Sequence, residues 1–66
     1  MNRIKLARVK ANYSQEELAE LVGVTRQTIG LIESGNYNPT INLCLKIAHT
    51  LNQTLDELFW EAENDR

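Results

Sequence analysis

The chain has 66 residues, 42% of them hydrophobic, with seven Lys and Arg, nine Asp and Glu, and one cysteine. Such a length holds one domain with one small core, near the lower limit for folding without a staple. A lone Cys44 forms no internal disulfide, the charged opening MNRIKLARVK is unlike a signal peptide, and no run approaches the ~20 apolar residues of a membrane span. A soluble, cytoplasmic protein is expected. The net charge of −2 is unevenly placed. Residues 1–53 carry six basic and four acidic side chains, whereas residues 54–66 carry one and five. The acid is therefore concentrated at the end, away from the rest of the chain.

Residues 2–11 read as a first helix with a narrow apolar stripe of Ile4, Ala7 and Ala11. Arg8 lies on the edge of that stripe and calls for a carboxylate, and the same wheel arithmetic puts Glu33 on the inward edge of a later helix. An Arg8–Glu33 pair is expected. Leu6 and Val9 fall on the outer side, Asn12 suits a left-handed helix end, and Tyr13 suits the position before a cap.

Ser14 and Glu17 form a capping box, so a second helix begins at about Gln15. Its apolar positions Leu18, Ala19 and Val22 precede Gly23, which can take the left-handed conformation that ends a helix. Thr25 then caps a third helix running to Glu33, closed by Gly35. Two helices joined by so short a turn make a helix-turn-helix over residues 15–34, with Ala19 as the small residue at the crossing. On the third helix Ile29 and Ile32 face inward. Arg26, Gln27, Gly30 and Leu31 face outward. Arg can donate two bonds to guanine, Gln pairs in the same way with adenine, and a glycine lets the helix axis approach a groove floor. This is the pattern of a recognition helix.

Residues 34–40, SGNYNPT, read as a turn-rich connector. A fourth helix, capped by Thr40 and running to Leu51, carries Ile41, Leu43, Cys44, Leu45, Ile47, Ala48 and Leu51 over more than half its wheel. It is either the central helix or partly a contact with a partner. Thr54 and Glu57 form a second capping box for a short last helix from Leu55 to Phe59. A domain this small has more apolar surface here than it can bury. Leu43, Ile47, Leu55, Phe59 and Trp60 are therefore expected at a two-fold dimer contact. Residues 60–64 leave open a short strand against residues 1–3. His49 has no second ligand at metal spacing, and Cys44 reads as a small buried filler.

The run SQEELAELVGVTRQTIGLIESG followed by NYNPT, together with LDELF near the end, resembles the Cro and phage-repressor type of helix-turn-helix regulator, the XRE family. The likeness covers nearly the whole chain. It implies an all-α, compact, five-helix lambda-repressor-like domain over residues 1–66 that binds double-stranded DNA. By this resemblance Thr25, Arg26, Gln27, Gly30 and Leu31 are base readers, with Leu31 placed to touch a thymine methyl. Gln15, Thr28, Asn36, Tyr37 and Asn38 are phosphate contacts, and pairs like Arg8–Glu33 occur in the family. The absence of a polar reader at Gly30 or Leu31 implies fewer base pairs read per half-site.

Two functions follow. One is a sequence-specific transcriptional regulator, expected to be a repressor, bound as a homodimer to a palindromic operator through its third helix. The other is an antitoxin-like module that masks a partner protein. An enzyme is not expected, because one His, one Cys and no clustered acids provide no acid-base or nucleophilic set. No cofactor, metal or small-molecule ligand is indicated.

Overall fold

The computed structural model describes residues 2–59. Among them are five helices and no strand: α1 (Ile4–Lys10), α2 (Gln15–Val22), α3 (Arg26–Glu33), α4 (Ile41–Thr50) and α5 (Leu55–Phe59). The local signals in the sequence place most of these boundaries. The Ser14 hydroxyl accepts from the Glu17 amide at 3.0 Å and the Glu17 carboxylate accepts from the Ser14 amide at 2.8 Å. Thr54 and Glu57 repeat the box at 3.1 and 2.7 Å. Thr25 caps α3 and Thr40 caps α4 through hydroxyls that accept from Thr28 and Leu43.

Helix ends obey the same economy. Asn12 (φ 67°), Gly23 (φ 82°), Gly35 (φ 81°) and Asn52 (φ 57°) are left-handed. At the end of α3 the Asn36 amide reaches the Leu31 carbonyl at 2.9 Å and the Gly35 amide reaches Ile32 at 3.1 Å, a Schellman closure that satisfies carbonyls the helix leaves free. The chain then leaves α3 in a fixed direction.

The core takes at least one fully buried side chain from every helix: Ile4, Leu18, Ile29, Ile32, Ile47 and Leu58. Each contributes about 1.5–3 kcal/mol by leaving water. Tyr13, Val24, Leu43, Leu55 and Phe59 pack partly buried around them. α2 packs on α3 and α4, and α5 closes the body against α4 and α1. The Arg3 amide donates to the Leu58 carbonyl at 2.8 Å, so the start of α1 is fastened to α5 by backbone alone.

Three sequence expectations are corrected. α1 begins at Ile4 rather than residue 2, because the Asn2 side chain serves two helices at once. Its amide donates to the Ile32 carbonyl at 2.7 Å, and its oxygen accepts from the Ile4 amide at 3.1 Å. Ala11, expected in the apolar stripe, is the exposed C-cap of α1. Ile47, expected at a dimer contact, is 0% exposed, since α4 turns Ile47, Ala48 and Leu51 toward the core. A side chain with no accessible surface cannot meet a second copy. The apolar surface left outside on α4 is Ile41 and Leu45, 64% and 50% exposed. Residues 60–64, including Trp60, and their expected pairing with Met1 lie outside the described residues.

Cys44 is half-buried with its Sγ 3.9 Å from the Pro39 carbonyl, and burial pushes its thiol up from the ordinary value. A thiol so placed is a packing group rather than a nucleophile.

Arg8 and Glu33 form the expected pair, and they are buried. The Arg8 Nε donates to Glu33 Oε2 at 2.7 Å, its Nη2 reaches Oε1 at 3.4 Å, and its Nη1 donates to the Tyr13 carbonyl at 2.8 Å. Exposures of 8% and 7% leave little water to screen either charge. Removing one partner strands the other, so Arg8→Ala is expected to lower the unfolding free energy by about 3–5 kcal/mol. Arg8→Met combined with Glu33→Leu leaves no buried charge and should cost far less, as read by urea denaturation. Equal losses in the single and double variants would show that attraction, not the stranded charge, is what the pair contributes.

Candidate nucleic-acid interface

α3 presents two opposite faces. Ile29, Ile32 and Glu33 are buried, whereas Arg26, Gln27 and Leu31 are exposed and Gly30 is half-exposed. The exposed set occupies the N-terminal and middle turns of the helix, where side chains project beyond the body. Leu31, at 38% exposure, is the least free of the apolar side chains left outside. An ideal Cβ on Gly30 would meet Gln15 Nε2 at 3.7 Å, an ordinary contact, so nothing within this chain requires glycine there.

Thr25, grouped by sequence with the base readers, is the N-cap of α3. Its Oγ1 accepts from the Thr28 amide at 3.2 Å and lies 3.0 Å from the Thr28 hydroxyl. The two threonines thus form one exposed hydroxyl pair at the start of the helix, with one hydroxyl proton shared between them.

Gln15, in the first turn of α2, is drawn into a chain of side chains. Its Nε2 donates to Glu33 Oε1 at 3.0 Å, and its Oε1 accepts from Arg26 Nη1 at 3.4 Å. Arg8, Glu33, Gln15 and Arg26 therefore run in sequence from the buried end of α3 to its exposed start. Spacing arguments found the first link of this chain and missed the others. The signal was present, since Gln15 and Arg26 each open a helix of the same pair, but which amide end faced which charge depended on the fold.

Beyond α3, Asn36, Tyr37 and Asn38 are all exposed. The Asn36 amide donates to Ser34 Oγ at 2.9 Å, and Ser34 Oγ donates to the Leu31 carbonyl at 3.0 Å, which binds the start of the connector to the end of α3. Tyr37 and Asn38 have no side-chain partner among the described residues. Lys5 was not singled out from the sequence. It is exposed and shares a surface hollow with Gln15, Gly30, Glu33 and Ser34, which puts an ammonium group on the α3 side of the molecule. Its place on α1 three residues before Arg8 was the signal, because positions i and i+3 share a helix face.

Among the described residues no group of three or more His, Cys, Asp or Glu side chains could hold a metal ion, and no helix is long and apolar enough to cross a membrane. What remains is a ledge of hydrogen-bonding side chains on a projecting helix, flanked by a polar loop and a lysine. Groups of these types donate to phosphates and read base edges.

Comparisons with known proteins agree with this geometry. The family model described as helix-turn-helix matches residues 4–58. An HTH-type transcriptional regulator of Bacillus subtilis, YgzD, is 47% identical over 64 residues, covering 96% of this chain and 97% of that protein. Among solved structures, the restriction-modification controller protein C.AhdI of Aeromonas hydrophila superposes with a TM-score of 0.79 at 37% identity over 86% of each chain. The N-terminal DNA-binding domain of SinR from Bacillus subtilis gives 0.80 at 33% identity, covering 94% of this chain and 91% of that one. A chain of the SinR–SinI protein complex gives 0.81 at 35% identity; the match covers 89% of this chain and 58% of that longer one. The chain belongs to the helix-turn-helix family of DNA-binding transcriptional regulators, of the Cro and phage-repressor (XRE) type.

Proposed function

We propose that the protein is a repressor that binds a near-palindromic operator as a homodimer, with α3 of each copy in the major groove. The observation that carries this reading is the exposed Arg26–Gln27 pair at the start of a helix whose opposite face is fully buried. Arg26 and Gln27 read base edges, Gly30 and Leu31 lie against the groove floor, and the Thr25–Thr28 hydroxyls sit where a base edge or a phosphate can accept from them. The amides at the start of α2, and Asn36, Tyr37 and Asn38, hold the phosphate backbone and set the register. Occupancy of a promoter site then suffices to repress. The place of action is the cytoplasm.

The dimer contact is formed by α4 and α5. Ile41 and Leu45 supply its exposed apolar surface, and the half-buried Leu43, Leu55 and Phe59 are assigned to it as well. Trp60, expected there from the sequence, lies outside the described residues and stays part of the proposal. Two-fold symmetry through this contact sets the two copies of α3 about 34 Å apart, one turn of the duplex.

A second reading is favoured by one observation, the likeness to a chain from a complex of two different proteins, SinR and SinI. In that reading the domain is masked by, or masks, a separate polypeptide, and co-purification of a second chain is its mark.

Selection of bound sequences from a random duplex pool tests the first reading. An inverted repeat with half-site centres about one turn apart is expected; no enrichment by folded protein would discard it. Gln27→Ala should cost about 1–3 kcal/mol on the selected site and relax one operator position, with little effect on other DNA. Equal weakening on both would make Gln27 a backbone contact.

Gly30→Ala should have opposite effects on folding and binding. Stability rises by about 0.5–1 kcal/mol because a helix-interior glycine is replaced where a Cβ fits, while operator affinity falls. Unchanged affinity would mean that α3 does not lie close to the groove floor. Leu45→Glu should reduce the mass in solution to that of one chain and sharply weaken binding to the full site, as measured by sedimentation and mobility shift. An unchanged mass would move the dimer contact off α4.

A further inference from the structure

α1 and α2 each leave one face uncovered, and the two faces are opposite in character. On α1, Lys5, Leu6, Val9 and Lys10 are all exposed, with Leu6 at 69% and Val9 at 55%. At roughly 100° per residue these four fall within one arc of about 140°, the two apolar side chains between the two ammonium groups. On α2, Glu16, Glu17, Glu20 and Leu21 are exposed, with Leu21 at 57%, and they occupy an arc of the same width at the same spacing of i, i+1, i+4 and i+5. Glu17 is occupied by its capping box, whereas Glu16 and Glu20 are not. Among the described residues the ion pair is Arg8–Glu33, and none of Lys5, Lys10, Glu16 or Glu20 pairs with an opposite charge.

A basic face with an apolar centre and an acidic face with an apolar edge, carried by the same chain, complement each other between copies. We propose that the occupant of the α1 face is a second copy of this chain, docked through its α2 face. The contact is heterologous, because the patch on one copy differs from the patch on the other, and it therefore leaves a free face at each end and can be repeated. It is distinct from the two-fold α4–α5 contact, so it joins dimers rather than forming them.

Two helices of seven and eight residues present little area. At about 1.5 Å per residue the shared length is about 10–12 Å, so the contact falls well below the 1,200–2,000 Å² buried, in round figures, by a stable interface. It is therefore weak in free solution and strongly sensitive to salt. Its effect appears where copies are already neighbours: binding of one dimer to DNA raises the effective concentration of the next. The consequence is cooperative occupation of adjacent sites.

The test needs no DNA and so stands apart from the operator reading. Sedimentation of the full chain at high concentration and low salt should give a larger average mass than at high salt. K5E/K10E alone and E16K/E20K alone should each remain at the high-salt mass, whereas their equimolar mixture regains the excess. The quadruple variant K5E/K10E/E16K/E20K has the net charge of the original and should regain it too, which separates a matched contact from general attraction. A quadruple variant with no excess mass would overturn the proposal. So would loss of association in K5E/K10E with none in E16K/E20K, which would assign the α1 face to acidic groups of this chain other than those of α2. Gln27→Ala, which alters the DNA-facing side, should leave the excess unchanged.

Discussion

The Arg8–Glu33 pair is the constraint on which the rest of the domain depends. Both groups have left water, and an unpaired charge in that place would cost several kcal/mol, so the fold is committed to bringing α1 and the end of α3 together in one geometry. The desolvation is met by more than mutual attraction: the guanidinium also donates to the Tyr13 carbonyl, and the carboxylate also accepts from Gln15. Four pieces of chain thereby share one polar knot. Among the described residues no buried side-chain nitrogen or oxygen lacks a partner. Two apolar side chains could fill the same space, but they would not fix direction. A carboxylate with donors on two sides fixes both the rotation of α3 and the distance of α1.

Asn2 acts on the same end of the same helix. Its amide takes the Ile32 carbonyl, one of the carbonyls that a helix leaves free at its C-terminus. With the Schellman closure beyond it and the Arg8 guanidinium beside it, the C-terminal end of α3 is held by backbone, amide and cation together, and a cation there is favoured by the helix dipole. Apart from the packing of Ile29, the opposite end, with Arg26 and Gln27, has the Thr25 cap and one long bond that Arg26 donates to Gln15. Polar anchoring of α3 is thus concentrated at its C-terminal end. In the proposed complex that asymmetry suits a helix that enters a groove without losing its angle to the body.

How far the sequence could be read follows from the range of the forces involved. Capping boxes at Ser14 and Thr54, left-handed ends at Asn12, Gly23 and Gly35, and the inward placing of Ile29 and Ile32 depend on residues within four positions of one another, so pattern and chemistry determine them. The Arg8–Glu33 pair spans 25 residues and was still legible, because an Arg on an apolar edge has few acceptable partners. Ile47 was misplaced for a definite reason. α4 is apolar around more than half its wheel, and only the positions of α2 and α5 decide which part turns inward. Asn2 was missed because a terminal asparagine carries no periodic signal, and its partner lies 30 residues away. Gln15 was given a phosphate role from resemblance, whereas within the chain its amide already has two partners.

Those two partners connect the core to the exposed face of α3. A glutamine amide can be turned either way, and in isolation neither orientation is preferred. Glu33 removes the choice, since a carboxylate accepts but cannot donate, so Nε2 must face it and Oε1 must face Arg26. The buried pair thus determines which atom of Gln15 meets the guanidinium. Ordering a long Arg side chain on binding costs about 0.5–1.5 kcal/mol, and a chain that partly orders it beforehand lowers that cost. At 3.4 Å the last bond is long enough to be given up for a base acceptor. In the proposed complex Arg26 would therefore start from a partly ordered position and exchange one long bond for a base contact, while the short bonds of the same chain remain buried or part-buried.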